Sequence, residues 1–153
     1  MDVEESEIKA LQQISERAGI EDGMDILDLG CGWGSFSLWA ATEYPNSKIM
    51  AVSNSHQQRQ WIEARAMKRE LGNLSVQTSD INDFEPGRTF DRIVTVEMLE
   101  HVRNHRDVFA RMHSWLEPDG RCFIHVFSHL RYAYPFECDG DKDWMARYFF
   151  TGG

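Results

Sequence analysis

At 153 residues the chain has room for one domain around one hydrophobic core, expected to span 1–153. Apolar residues make up 42% and charged residues 27%, with 11 Gly and 4 Pro, which excludes collagen-like, low-complexity and disordered chains. Acidic side chains outnumber basic ones 25 to 16 for a formal charge of -9, which disfavours nucleic acid and anionic membrane surfaces as partners and favours cationic ligands.

Ile8, Leu11 and Ile14 stand at helical spacing and predict an amphipathic helix over 4–18, closed by Gly19 and the following Glu21-Asp22-Gly23. Met24 to Leu29 reads as a buried strand that empties into a glycine loop. Ser35 to Tyr44 is helical in spacing and stops before Pro45. The alternation continues with strand 48–54, helix 56–71, strands 74–79 and 91–97, and helix 104–116. A turn at Glu117-Pro118-Asp119-Gly120 then leads to strand 121–128. Strands alternating with helices imply right-handed parallel crossovers, hence an α/β fold with a doubly wound, mostly parallel sheet. Ligands in such sheets sit beyond the carboxyl ends of the strands, where the strand order reverses. The segment from His129 to Gly153 is rich in aromatic residues, which either wall a pocket for a cation or pack in a core.

Cys31, Cys122 and Cys138 are odd in number and lack C-x-x-C spacing, so reduced thiols are expected, with no disulfide framework and no zinc site. No apolar run approaches the roughly 20 residues of a bilayer span, and Met1 to Gly19 lacks the basic start and apolar centre of a signal peptide. A cytoplasmic protein without stable membrane insertion is the expectation.

Asp28-Leu29-Gly30-Cys31-Gly32-Trp33-Gly34 falls between a strand and a helix, where glycines let the backbone approach a ligand. A dinucleotide fingerprint needs its third glycine at position 35, which is Ser35. The G-x-G-x-G spacing suits an amino acid-nucleoside such as S-adenosylmethionine, with Gly30 and Gly32 beside it and Asp28 offering a negative group for its ammonium. Asn54 and Gln58 follow the second strand and can bond ribose hydroxyls, while Ser55 is also a helix N-cap. After the third strand, Asp80 and Ile81 offer a carboxylate and an apolar face for adenine, or a simple Asx turn.

The fourth strand runs into Glu97-Met98-Leu99-Glu100-His101. In a helical continuation Glu97, Glu100 and His101 share a face, an arrangement suited to acid–base work or to binding an amine; alternatively they form a solvated first helical turn. His125 and His129 follow the fifth strand, and no Cys/His or His/Asp triplet has metal-ligand spacing.

These segments, with Phe90-Asp91-Arg92-Ile93-Val94 and Asp143-Trp144-Met145-Ala146-Arg147-Tyr148-Phe149-Phe150-Thr151-Gly152-Gly153, resemble the S-adenosylmethionine-dependent methyltransferases related to cyclopropane fatty-acid synthase. Within that group the coclaurine N-methyltransferase-like branch is the most similar. The resemblance implies a class I methyltransferase fold, S-adenosylmethionine as cofactor and a small-molecule amine as acceptor. It implies that Glu97 and His101 bind or deprotonate the substrate nitrogen. Lipid cyclopropane synthases carry glycine at the position of Glu97 and cysteine at that of Ser15, and hold a bicarbonate base with a Glu at position 100; Glu100 and His125 keep methylation of unsaturated acyl chains as the alternative. The group's sheet continues beyond the fifth strand, so the resemblance implies a truncated core with 121–128 as an open edge. A fragment, a complementing chain or homo-oligomer, and an inactive cofactor-binding short form are the expectations that follow.

Overall fold

The computed structural model describes residues 2–128 and Arg131. In chain order the elements are α1 (Val3–Ala18), β1 (Asp25–Leu29), α2 (Ser35–Glu43), β2 (Lys48–Ser53), α3 (His56–Lys68), β3 (Leu74–Thr78), β4 (Phe90–Val96), a 3-10 turn (Leu99–His101), α4 (His105–Ser114) and β5 (Leu116–His125). All five strands are parallel, in the order β3-β2-β1-β4-β5. The chain winds outward from β1 to β3 and then crosses to the other side of β1, so the switch point lies between β1 and β4.

Local chemistry sets the element ends. Asp2 caps α1 by accepting the Val3 amide at 2.7 Å. At its other end Gly19, with φ +63°, donates to the Glu16 carbonyl while Ile20 donates to that of Ser15, a Schellman closure. Ser55 caps α3 through the Gln58 amide, and Asn104 caps α4 through that of Asp107.

The central strands are apolar on both faces because both faces are covered. Leu27 and Leu29 of β1 pack with Ile93, Val108, Met112 and Trp115 on the α4 side. Ile26 packs with Val94, Leu11, Phe36 and Ala40 on the side of α1 and α2. Adjacent strand residues thus feed opposite cores, as a period of two requires.

The Glu117–Gly120 turn is absorbed into β5 rather than preceding it. The ladder passes from Phe90↔Leu116 directly to Arg92↔Arg121, so four residues bulge opposite Asp91. Trp115, expected as helix, ends α4 as a buried cap edge-on to Phe84 at 5.1 Å. Among the described residues β5 is an edge strand, as expected, and exposes Ile124, Val126 and Phe127 at and beyond its end. No helix among the described residues is long and apolar enough to cross a membrane. The tail aromatics from Tyr132 onward, His129 and Cys138 lie outside the described residues.

Candidate functional site

The carboxyl ends of β1, β2, β3 and β4 open on a cavity of about 690 Å³, within the usual size of a small-molecule site. Gly30, Gly32, Asn54, Gln58, Asp80, Ile81, Glu97 and His101 all line it. Residues far apart in sequence therefore converge because parallel crossovers return every strand end to one rim.

The first wall is the glycine turn. Both the Gly30 and Cys31 amides donate to the Val52 carbonyl, at 3.0 and 2.9 Å, which folds the turn over the end of β2. Gly32, at φ +53°, has open space where a Cβ would stand, so its backbone is free to meet a ligand. Trp33 stands half-exposed at the rim, edge-on to Trp61 at 5.7 Å.

Asp28 does not line the cavity. It is buried beneath the turn, where Ser37 Oγ donates to its carboxylate, and burial pushes its carboxyl up to about 6 against the opposing effect of that bond. Burial, with the Asp28 charge nearby, also pushes the Cys31 thiol well up.

The second and third walls combine capping with lining. The Ser53 hydroxyl donates to Gln58 Oε1 and accepts the Ser55 amide at 3.0 Å, which fixes Gln58 beside the cavity. Asp80 Oδ1 accepts the Asn82 amide and side chain, each at 2.8 Å, the Asx turn foreseen as the plainer alternative. Arg111 of α4 anchors this loop by donating to the Asn82 and Phe84 carbonyls and pairing with Glu85 at 3.1 Å.

The fourth wall departs from the helical expectation. Glu97 adopts φ +52°, and the 3-10 turn begins only at Leu99, so helical periodicity does not govern the three titratable groups. Glu97 and His101 are exposed and line the cavity together, whereas Glu100 is buried and turned away. Its Oε1 accepts the Phe127 amide. His125 contributes its carbonyl, which accepts the Glu97 amide at 2.8 Å, and does not line the cavity.

Met98, Asn82, Val102 and Trp33 line the cavity without having been singled out as site residues in the sequence. Trp33 and Met98 lie inside the two chemical motifs and were within reach of a motif reading; Asn82 and Val102 carried no such signal. Among the described residues no group of three His, Cys, Asp or Glu side chains is arranged to hold a metal ion.

This arrangement has close counterparts. A (S)-coclaurine N-methyltransferase of Thalictrum flavum subsp. glaucum is 38% identical over 151 residues, covering 99% of this chain and 42% of that protein. The cyclopropane-fatty-acyl-phospholipid synthase of Escherichia coli strain K12 is 30% identical over 154 residues, covering 99% of this chain and 37% of that protein. The crystal structure of coclaurine N-methyltransferase bound to N-methylheliamine and SAH superposes with a TM-score of 0.91 at 37% identity, over 100% of this chain and 45% of that one. The chain thus spans less than half the length of these relatives, and its fold is that of the class I methyltransferases. The sequence profile of mycolic acid cyclopropane synthetase matches residues 1–153, and with the switch-point cavity and glycine turn in place the chain belongs to that family.

Proposed function

We propose that this chain carries the cofactor site and the acid–base pair of an S-adenosylmethionine-dependent methyltransferase acting on the nitrogen of a small-molecule amine. One observation carries the reading: Glu97 and His101 line the same switch-point cavity as the glycine turn. The residues present suit the cofactor. Gly32 leaves room for close approach, Asn54 and Gln58 offer amides to ribose hydroxyls, and Asp80 and Ile81 offer a carboxylate and an apolar face to adenine. Asp28 and Gly30 support the turn from below and behind.

When bound, S-adenosylmethionine supplies a methyl group on a sulfonium centre, open to in-line displacement. Glu97 and His101 hold the incoming ammonium and take the proton that it must lose before its lone pair can attack. Holding the nitrogen in line then accounts for much of the rate. The net charge of -9 favours a cationic acceptor over an anionic one. The test is calorimetry with S-adenosylhomocysteine followed by a mass-spectrometric assay on coclaurine and related amines. Binding plus a methylated amine upholds the reading, binding without turnover reduces the chain to a cofactor-binding module, and no heat from folded protein overturns it.

Methyl transfer to an unsaturated acyl chain is the second reading, favoured by the family's description and by the 30% identity to the bacterial synthase. Against it stands the engagement of Glu100, the expected bicarbonate ligand, by the Phe127 amide. Turnover of unsaturated phospholipid that depends on bicarbonate would favour it over the amine.

A further inference from the structure

We propose that Glu100 is a positioning residue: its buried carboxylate ties the turn after β4 to the exit of β5 and thereby holds Glu97 in its left-handed conformation at the cavity. The proposal rests on the amine reading only for what Glu97 does once it is held.

Glu97 needs an external constraint. A glutamate at φ +52° sits in a region that side chains other than glycine rarely adopt, and it stays there only where its surroundings over-determine it. The direct constraint is the bond from the Glu97 amide to the His125 carbonyl, 2.8 Å long. That carbonyl belongs to the last residue of β5 and to the last register pair, Val96↔His125. Beyond this point the ladder forms no further pair among the described residues, and the Phe127 side chain is 64% exposed. The bond from the Phe127 amide to Glu100 Oε1 is what reaches across.

The two bonds run in opposite senses between the same two segments. Position 97 donates to 125, and 127 donates to 100, closing a latch around the strand exit. Glu100 is 9% exposed and is not among the residues that line the cavity, and its second oxygen, Oε2, is buried without a hydrogen-bond partner among the described residues. What the latch requires from position 100 is an acceptor rather than a charge, and the carbonyl of a glutamine provides one.

Glu100→Gln and Glu100→Ala are compared with the wild-type chain by amide hydrogen exchange at Phe127 and Glu97, and by calorimetry with S-adenosylhomocysteine and then coclaurine. In Glu100→Ala both amides lose protection and coclaurine affinity falls, each by about tenfold, the size of one hydrogen bond, while S-adenosylhomocysteine affinity stays within about threefold. Glu100→Gln restores protection and coclaurine affinity together. Glu100→Gln that protects both amides yet binds coclaurine as poorly as Glu100→Ala overturns the proposal, because the charge itself is then at work. So does Glu100→Ala with Glu97 exchange unchanged. If Glu100→Ala does not fold, Glu100→Gln decides alone, with retained protection at both amides upholding the latch and loss at either overturning it. If the wild-type chain binds S-adenosylhomocysteine but no amine, the amine reading fails and the exchange data still decide the latch.

Discussion

Met98 occupies the space that a side chain on Gly30 would need: a Cβ built on Gly30 would stand 2.7 Å from the Met98 Cβ. The turn after β4 therefore rests on the turn after β1, and the residue following Glu97 touches the glycine that opens the cofactor loop. Gly30→Ala meets both this contact and a φ of +80°. It is expected to destabilise the chain by about 2–4 kcal/mol, combining left-handed strain with overpacking, read as a lower urea midpoint. An unchanged midpoint would show that Met98 is free to move away.

Glu97 offers a separation of stability from activity. Glu97→Gly removes the left-handed strain and should raise stability by about 1 kcal/mol in urea titration, while Glu97→Ala keeps the strain. Both are expected to abolish amine methylation and leave S-adenosylhomocysteine affinity nearly intact. Equal loss of binding and turnover would place Glu97 in cofactor binding instead.

Asp28 makes stability depend on pH. Its folded-state value of about 6 lies above the ordinary 3.8, so the folded chain holds this proton more tightly than the unfolded chain does. The resulting stabilisation is complete below about pH 4 and lost as pH rises through about 6, with a span on the order of 3 kcal/mol. Asp28→Asn should flatten this dependence relative to the parent chain and be neutral or stabilising at pH 7.5, measured by urea unfolding at both ends of the window. A marked loss of stability at pH 7.5 would mean that the charged carboxylate is needed beneath the turn.

The thiols should be slow to react. Burial raises the Cys122 thiol to about 11, and burial with the Asp28 charge raises that of Cys31 further. Native protein at pH 7.5 should therefore incorporate iodoacetamide at Cys31 and Cys122 far more slowly than urea-unfolded protein, as followed by peptide mass spectrometry. Comparable rates in the two states would contradict the burial of both sites.

Much of the architecture was legible along the chain because its signals are local. The closure at Gly19, the cap at Ser55, the apolar strands and the glycine turn each act within a few residues, and alternation of strands and helices then restricts the sheet to parallel crossovers. Chemical motifs at strand ends were likewise readable, since such a sheet gathers its carboxyl ends on one rim. The Glu117–Gly120 segment reads as a plain turn in sequence because Asp91, the residue it bulges against, lies in another strand.

Side-chain direction at the acids required the assembled fold. Periodicity put Glu97, Glu100 and His101 on one face, but a long-range bond to His125 turns Glu97 left-handed and another to Phe127 draws Glu100 inward. Asp28 likewise reads as a ligand in sequence and is found engaged with Ser37 under the turn. Hydrophobic period and glycine spacing are properties of neighbouring residues, so they survive in one dimension. Which carboxylate meets the cavity depends on hydrogen bonds between segments nearly 30 residues apart, and those exist only once β5 lies beside β4.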